Sequence, residues 1–502
     1  MSSIPEALSE IQQFYKGANI FITGGTGFLG KILIEKLLRS CPGIGNIYVL
    51  VRFKRGKRME ERMDKLLSDN VFSVLKKENP DYKKKLIGIN GDGANSGLGV
   101  SPEDRLLLTN EVSIIFHAAA TVRFDEPLNV AVAINVNSVK DIIDLSKDCK
   151  KLKACVYVST AFSNCIQKKI CETIYTPPLT YEESNMIVDI LERQDFSKDI
   201  VGEITQKLIG KWPNTYTFTK AIAEGVINKF ARNLPISIIR PSIVLATWKE
   251  PLPGWTDNLL GVNGIVAGVA VGAIHVMHLD KNKKCDLVPV DMVCNAIIAC
   301  AWETGITKRR PEEDIPVYNY VTGPENPITW MEFQSLAHSI GYKSPTNAAI
   351  YYNTVIYTKY QLLYTIFEFF FHLIPALVVD NITKLIGKEP ILYKMHKKLA
   401  NLTRVLSFFT TQEWTYENFQ MQKLWNRLSN EDKRLFPSSL TLFKWHDLVK
   451  THIFGMKKYI MNDKEGNESE ARRRQIILYI IHTAVRLLFV FFVIWLIWKI
   501  FH

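Results

Sequence analysis

A glycine-rich turn near the N-terminus constrains the fold of this chain most strongly. The turn, Thr23–Gly30 (TGGTGFLG), follows a short β-branched run at Asn19–Thr23 and opens a segment with helical spacing at Lys31–Arg39. Glycines allow a tight turn and a close approach between backbone segments. A strand, a glycine turn and a helix in this order are typical of the first unit of a doubly wound parallel sheet.

The same alternation continues along the first three-fifths of the chain. Short runs rich in β-branched and aromatic residues alternate with helical patterns such as Ala133–Ser146. This alternation predicts a parallel sheet with helices on both faces, an α/β fold of the Rossmann type. The predicted strands are Asn19–Thr23, Asn46–Val51, Leu86–Asn90, Ser113–Ala118, Ala154–Ser159 and Ile236–Arg240.

The chain of 502 residues is longer than a single compact core usually supports, which indicates more than one domain. We predict a sheet domain at 15–345 that includes substrate-binding insertions, and a helical C-terminal domain at 351–460. The insertions are the mostly polar 168–211 and the Gly- and Val-rich 251–278. The aromatic segment 356–379 could enter a membrane, but we favour a helix packed in the C-terminal domain or lying at a lipid surface.

Residues 476–498 form an apolar run of 23 residues, preceded by three arginines. As a helix this run is ~34 Å long, enough to cross a hydrocarbon core of ~30 Å. The basic flank predicts a membrane anchor with the larger N-terminal part in the cytosol. His482 and Arg486 oppose this prediction, so a helix on the membrane surface or against the protein stays an alternative. The endoplasmic reticulum and the peroxisome both suit such an anchor.

The composition is that of a globular protein, with 47% hydrophobic and 22% charged residues. The net charge of +12 suits phosphate-bearing ligands or an anionic membrane face, and we predict no nucleic-acid partner. The eight cysteines lack the paired short spacings of a zinc site, so we predict reduced thiols and no metal. The N-terminus has no pattern of a secretory signal. Oligomeric state stays open.

The glycine turn predicts a dinucleotide site. The absent side chains let the backbone approach a pyrophosphate, and the helix N-terminus offers N–H groups to that anion. Arg52 stands at the end of the second strand, where an acidic residue would bind the ribose of NAD; a guanidinium there favours the 2′-phosphate of NADPH. Asp92 ends the third strand and could reach the adenine edge or form a turn. The residues predicted at the turn are Thr23, Gly24, Gly27, Phe28, Leu29 and Gly30.

Tyr216 and Lys220 stand four residues apart, on one face of a predicted helix. A hydride added to a carbonyl produces an oxyanion that needs a proton. An ammonium near a phenol favours the phenolate form, so Tyr216 could act as acid and base. Ser159 and Thr160 end the fifth strand and could hold the substrate oxygen, and Asn135 could carry a proton relay through water. A helix cap or a buried polar contact is the alternative for these three residues.

With these residues the chain resembles the extended short-chain dehydrogenases/reductases, through TGGTGFLG, the Tyr216/Lys220 pair and Ile239–Ser242. Further segments resemble the alcohol-forming fatty acyl-CoA reductases. These are Phe116–Phe124 (FHAAATVRF), Tyr157–Phe162 (YVSTAF), Pro251–Trp255 (PLPGW) and Val288–Asp291 (VPVD), with the aromatic C-terminal region and the tail. The resemblance implies that Pro241 and Ile243 contact the nicotinamide, and we expect Ala118 beside the cofactor.

The resemblance implies reduction of a long-chain fatty acyl-CoA by NADPH, through an aldehyde, to a primary alcohol. It also implies that Thr160 and Ser159 position the carbonyl, that Tyr216 donates the proton and that Lys220 tunes it. Three alternatives stay open: a membrane-bound dehydrogenase acting on a sterol or another lipid carbonyl, a reductase that stops at the aldehyde, and a cofactor-binding scaffold without activity.

Overall fold

Strands and helices alternate along the part of the chain that the computed structural model describes, which is residues 8–52, 58–194, 196–464 and 466–501. The strands are β1 (Ile20–Thr23), β2 (Ile47–Val51), β3 (Leu86–Asn90), β4 (Ile114–His117), β5 (Ala154–Val158), β6 (Lys169–Ile170), β7 (Ile236–Pro241), β8 (Ile243–Leu245), β9 (Val276–His278), β10 (Leu287–Pro289), β11 (Val317–Tyr320), β12 (Ile356–Thr358) and β13 (Thr415–Tyr416).

The α-helices follow the same order. They are α1 (Glu10–Tyr15), α2 (Phe28–Ser40), α3 (Met59–Ser68), α4 (Ser73–Glu78), α5 (Pro102–Glu111), α6 (Leu128–Val132), α7 (Ser138–Asp148), α8 (Tyr181–Arg193), α9 (Lys198–Ile209), α10 (Thr215–Phe230), α11 (Val262–Ala270), α12 (Val290–Ile306), α13 (Trp330–Lys343), α14 (Gln361–Glu368), α15 (Ile374–Leu385), α16 (Leu392–Thr410), α17 (Phe419–Arg427), α18 (Asn430–Leu435), α19 (Trp445–Gly455) and α20 (Glu468–Phe501).

The main sheet has the order β11-β7-β5-β4-β1-β2-β3, and every neighbouring pair is parallel. The direction of winding reverses between β1 and β4, which is where ligands bind in open sheets of this kind. The six predicted strands are confirmed, with ends shifted by at most one residue. The sequence analysis missed the edge strand β11. The predicted α/β fold of the Rossmann type is therefore confirmed.

Both faces of the sheet are covered, because β1, β2 and β5 are buried along their whole length. Successive residues of a strand face opposite sides. On one face, Phe21, Ile115 and Tyr157 pack with apolar residues of α7 and α10 in a single cluster. Helix α12 packs against β5 and β7 and contributes nothing to that cluster, so it covers the other face.

The chain forms two compact units that alternate along the sequence. The sheet unit comprises residues up to Pro253, Asp286–Pro327 and Trp414–Phe443. The second unit comprises Gly254–Cys285, Ile328–Glu413 and residues from Lys444 onward. The division therefore returns to the sheet unit after residue 413. The predicted boundaries 15–345 and 351–460 describe the chain as consecutive segments and stay a prediction.

The aromatic segment at 356–379 contributes to four elements of the second unit. Its first residues form β12, which pairs in parallel with β9. The rest is helical through α14, a π-helical turn at Phe369–Leu373, and α15. Pro375 lies inside this continuous helix, shortly after the π-helical turn, and removes one backbone donor without ending the helix. Among the described residues searched, Gln361–Leu385 is the one helix long and apolar enough to cross a membrane.

Residues 476–498 lie within α20, which runs from Glu468 to Phe501. The first part of α20 contacts other segments of the second unit. Arg474 Nε donates to the Ala349 carbonyl at 2.6 Å, and His482 Nδ1 lies 3.2 Å from the Tyr351 hydroxyl. The helical form of this segment thus agrees with its pattern. A role of α20 as a membrane anchor remains a prediction.

Candidate active site

The glycine turn brings three backbone segments into contact at the N-terminus of α2. Gly24 has φ of +75°, and a Cβ there would lie 2.7 Å from the amide nitrogen of Ala119. A Cβ on Gly30 would lie 2.6 Å from Gly25 Cα. Side chains would therefore fill the cradle, which fits a pyrophosphate approaching the backbone. Gly27 precedes the helix without a side-chain cap, and Phe28 and Leu29 are its first residues.

Thr23 joins β1 to β4 beside the turn. Its Oγ1 lies 2.6 Å from His117 Nδ1 and accepts a hydrogen bond from the Ala119 amide at 3.2 Å. The Ala118 amide donates to the Thr23 carbonyl at 3.3 Å. Burial, aided by the charge of Lys220, lowers the pKa of His117 to about 3, so this imidazole is neutral at physiological pH. Thr23 and Ala118 thus lie together at the predicted cofactor site.

Arg52 and Asp92 meet where β2 and β3 end. Arg52 Nε lies 2.7 Å from Asp92 Oδ2, and the Arg52 side chain is 64% exposed. Asp92 Oδ1 also accepts from the Ala94 amide at 3.1 Å, so Asp92 takes part in a turn as well. The two predicted adenosine-side residues are therefore neighbours. Among the adjacent basic residues named by the sequence, 54, 55 and 57 lie outside the described residues.

Tyr216 stands in the first turn of α10, and the side chain of Thr160, at the end of β5, lies close enough to affect its pKa. Asn214 fixes the start of the helix, because its Oδ1 accepts from the Thr217 amide at 2.9 Å. Thr160 Oγ1 accepts from the Phe162 amide at 3.2 Å. Burial raises the pKa of Tyr216 to about 12, against the opposing effect of the Thr160 side chain. The phenol is therefore protonated at neutral pH.

Lys220 is nearly fully buried and faces β5. Its Nζ donates to the Val158 carbonyl at 2.8 Å and to the Tyr157 hydroxyl at 3.1 Å. Burial lowers the pKa of Lys220 to about 7, although the charge of Glu224 opposes this. The sequence predicted that Lys220 would favour the phenolate form of Tyr216. The structure differs, because burial dominates and the pKa of Tyr216 is raised.

Ser159 contacts a buried ion pair. Its Oγ donates to Glu224 Oε1 at 2.5 Å, and Arg240 Nη2 lies 2.6 Å from Glu224 Oε2. Neither charged side chain is more than 1% exposed. Arg240 also donates to the carbonyls of Cys171 and Thr173 at 3.0 and 2.8 Å. In this structure Ser159 thus supports the end of β5, in the way that the alternative interpretation of this residue expected.

Asn135 lies in a π-helical turn, Ala133–Asn137, between α6 and α7. Its Oδ1 accepts from the Thr121 amide at 2.9 Å, and its Nδ2 donates to the Thr219 hydroxyl at 3.0 Å. Thr219 Oγ1 in turn donates to the Tyr216 carbonyl at 3.1 Å. Asn135 therefore connects the loop after β4 to the backbone that carries Tyr216. Single-turn π-bulges are frequent at functional sites.

Pro241 and Ile243 close the site on the side of β7. The Pro241 carbonyl accepts from the Ala161 amide at 2.9 Å, which places it beside the end of β5. Ile243 begins β8, and its amide donates to the Asp286 carbonyl at 3.2 Å. Both residues thus lie at the carboxyl edge of the sheet, where the resemblance expects contact with a nicotinamide.

Two residues without an assigned role in the sequence analysis connect the glycine turn to the catalytic helix. The ring of His117 stacks on that of Tyr157 with centroids 5.6 Å apart, and Tyr157 bonds to Lys220. A path of contacts therefore runs from Thr23 through both rings to Lys220. His117 is the last residue of β4, and Tyr157 lies one residue before the end of β5. This position at the carboxyl edge of the sheet could have indicated both residues from the sequence.

Comparisons with known proteins agree with this geometry. Two family models, each described as male sterility protein, match residues 22–297 and 371–463. Fatty acyl-CoA reductase wat of Drosophila melanogaster is 39% identical over 94% of this chain and 90% of its own length. Fatty acyl-CoA reductase 1 of Mus musculus is 38% identical over 94% and 89%.

Solved structures share the fold. The reductase domain of a nonribosomal peptide synthetase from Mycobacterium tuberculosis aligns with a TM-score of 0.58 at 16% identity, over 89% of this chain and 95% of that one. The terminal R domain of the myxalamid pathway aligns with a TM-score of 0.55 at 19% identity, over 88% and 91%. With its NAD(P)-binding Rossmann domain and its similarity along almost the whole sequence, this oxidoreductase belongs to the fatty acyl-CoA reductase family.

Proposed function

We propose that this protein reduces a long-chain fatty acyl-CoA to a primary fatty alcohol, with NADPH as reductant and an aldehyde as intermediate. The observation that carries the proposal is the Tyr216 phenol, which lies close enough to the Thr160 side chain at the carboxyl edge of the sheet for that side chain to affect its pKa. Two hydroxyls beside a dinucleotide cradle suit the polarisation of a carbonyl. Similarity to fatty acyl-CoA reductases supports the acyl-CoA substrate.

The overall reaction requires two hydride transfers for each acyl chain. A bound nicotinamide supplies the hydride in each. The first hydride adds to the thioester carbon and its oxygen takes a proton, after which the C–S bond of the hemithioacetal breaks and releases coenzyme A as the thiol. The second hydride and a second proton convert the aldehyde to the alcohol. Two NADPH and two protons are consumed for each acyl-CoA.

Tyr216 is the proton donor in this proposal. A phenol with its pKa raised to about 12 stays protonated at neutral pH and can give its proton to the more basic oxyanion that forms on the substrate. The Thr160 hydroxyl, which lies beside Tyr216, holds the same substrate oxygen. Each transfer of a proton from Tyr216 must be followed by reprotonation before the next hydride step.

The remaining predicted residues position this pair. Ser159 fixes the end of β5 through Glu224, and Asn135 fixes the first turn of α10 through Thr219. Lys220 is proposed to bond the nicotinamide ribose. Burial lowers the pKa of Lys220 to about 7. The negative charge of the phosphates of a bound dinucleotide would raise this pKa and favour the charged form of Lys220. The relay through Asn135 and water remains part of the proposal.

The preference for NADPH is assigned to Arg52. Its side chain is largely exposed at the end of β2 and pairs only at the surface with Asp92, so it is accessible to a 2′-phosphate. Guanidinium groups bind phosphates with two parallel hydrogen bonds. Asp92 lies where it could reach the adenine edge.

We further propose that α20 anchors the protein in the membrane of the endoplasmic reticulum or the peroxisome, with the catalytic domain in the cytosol. The 34 residues of α20 correspond to a helix of ~51 Å. The side chains of Ile480, Val485 and Leu488 are 61%, 50% and 69% exposed. Large exposed apolar residues on a long helix favour contact with lipid. The apolar helix Gln361–Leu385 supports a lipid-facing second unit.

The full-length protein incubated with palmitoyl-CoA and NADPH should oxidise two molecules of NADPH for each coenzyme A released and yield hexadecanol. Absorbance at the nicotinamide band, thiol titration and gas chromatography measure the three quantities. One NADPH per coenzyme A with accumulation of hexadecanal would show that the reaction stops at the aldehyde. Turnover of a sterol ketone with no turnover of any acyl-CoA would refute the substrate class.

Tyr216→Phe should lower kcat by ~10²–10⁴-fold, because it removes the proton donor and leaves the ring in place. NADPH binding, measured by fluorescence titration, should change little. Tyr342→Phe, at a tyrosine 56% exposed on α13, is the matched control and should retain kcat. A Tyr216→Phe protein with the kcat of the wild type would rule out the assigned role.

Arg52→Glu should lower kcat/KM for NADPH by ~10–100-fold, from the loss of charge-assisted hydrogen bonds of ~1.5–3 kcal/mol to the phosphate. The value for NADH should fall much less, because NADH has no 2′-phosphate. Arg58→Glu tests general charge effects, since the Arg58 side chain is 85% exposed and pairs with Glu61 at the surface. Equal losses with both cofactors would argue against a phosphate contact by Arg52.

Alkaline carbonate treatment of membranes carrying the full-length protein should leave it in the pellet, as expected for a spanning helix. The double variant Val485→Glu, Leu488→Glu should move to the supernatant, because two carboxylates in the hydrocarbon core are unfavourable. Leu106→Glu, at a leucine 62% exposed on α5, is the control. Release of the wild type by carbonate would instead indicate a helix lying on the membrane surface.

A further inference from the structure

The second unit contains a cavity of about 430 Å³ that lies outside the contacts of Tyr216 and Lys220. It is bounded by α11, β9, α13, the segment between α13 and β12, α19 and the first part of α20. Its volume is within the range of small-molecule sites. Apolar side chains that form its walls include Ile265, Val266, Val269, Met277, Phe333 and Leu478.

The walls suit a hydrocarbon chain more than a polar ligand. Helix α11 (VNGIVAGVA) contributes branched and small side chains, and Val266 is only 8% exposed. Apolar surface of this kind gains free energy when an apolar ligand replaces water against it. Exchange of water for a long aliphatic chain is therefore favoured here.

A few polar atoms within the lining lack partners. Trp330 is 3% exposed, and its indole N–H has no hydrogen-bond acceptor among the described residues. Gln475 Nε2 and Asn353 Oδ1 are buried and unpaired in the same lining. Trp330 Nε1 and Gln475 Nε2 are donors, and buried donors without acceptors are unfavourable, so a ligand that supplies an oxygen would stabilise these two groups.

The charged residues of the lining are all basic. Lys281 and Lys457 are its lysines, and among the described lining residues there is no aspartate or glutamate. Lys457 Nζ donates to the Ser344 hydroxyl at 2.7 Å. Burial lowers the pKa of Lys457 against the opposing charges of Asp463 and Glu468, which lie outside the lining, and an anionic ligand would further favour its charged form. The lining thus combines an apolar interior, a buried N–H donor and lysines that suit an anionic head group.

We propose that this cavity binds the hydrocarbon chain of a fatty acyl ligand, with Trp330 and the lysines available to the carboxylate of a free fatty acid. The identity of the chain as substrate rests on the proposed acyl-CoA reduction. Binding of an aliphatic chain does not rest on it, because fatty acids and membrane lipids share the same chemistry.

The test measures binding of cis-parinaric acid, a fluorescent fatty acid of eighteen carbons, to the full-length protein. Val266→Trp, which places a large ring in the cavity, should weaken binding at least tenfold and lower kcat/KM for palmitoyl-CoA relative to decanoyl-CoA at least tenfold. Ile306→Trp, at an isoleucine 41% exposed on α12, is the matched control and should leave both unchanged. Thermal melting and NADPH binding establish that each variant is folded.

Val266→Ala keeps the proposal testable if Val266→Trp does not fold. It enlarges the cavity and should shift the ratio of kcat/KM toward longer acyl chains, opposite to Val266→Trp. Wild-type probe affinity and wild-type chain-length profile in every folded cavity variant would overturn the proposal.

Competition identifies the source of the chain. Displacement of the probe by palmitoyl-CoA supports the substrate, whereas displacement only by phosphatidylcholine vesicles would overturn the assignment to an acyl substrate. Probe binding that depends on Val266 in a protein that reduces no acyl-CoA would contradict the proposed function and leave the cavity proposal standing. Acyl-CoA reduction and probe binding that are both insensitive to substitution of Val266 would contradict the cavity proposal and leave the proposed function standing.

Discussion

The buried ion pair between Glu224 and Arg240 holds together the elements on which the candidate site depends. Glu224 lies on α10, two turns after Tyr216, and Arg240 lies on β7. The pair also binds the Ser159 hydroxyl at the end of β5. Loss of one partner would leave a buried charge uncompensated, a change that typically costs ~3–5 kcal/mol. The relative position of strand ends and catalytic helix is therefore set by electrostatics as well as by apolar packing.

Burial at this site moves the pKa values of two groups in opposite directions, because it disfavours the charged form of each. It keeps the Tyr216 phenol neutral, with a pKa of about 12, and it weakens the hold of Lys220 on its proton, with a pKa of about 7. Such perturbed groups in one cluster are typical of sites where protons move. The same burial destabilises a charged Lys220, and the hydrogen bonds that Lys220 donates to the Val158 carbonyl and the Tyr157 hydroxyl offset part of this cost.

Local patterns were sufficient to predict the sheet and most of its ligand-facing edge. The glycine turn, six strands and the ends of β2 and β3 follow from short segments, and the structure brings Arg52 and Asp92 together as neighbours. Strand β11 (VYNY) was not predicted, because its apolar run is short and contains Asn319. The buried Asn319 amide is satisfied by the carbonyls of Ile170 and Glu417, which are distant in sequence, so no local pattern indicates its burial. The hydrogen bond between Lys220 and Tyr157 could not be predicted from the sequence. Helical spacing places Lys220 near Tyr216, whereas tertiary packing turns the Lys220 side chain toward Tyr157.

The alternation of the two units along the chain has a consequence for biosynthesis. Strand β13 pairs with β6, although about 245 residues separate them in sequence. A ribosome must therefore release residues 414–443 before the sheet unit has all of its parts, long after the glycine turn and the catalytic helix have emerged. Until then the nascent chain exposes apolar surface that later segments cover, and such surface is what chaperones bind during synthesis.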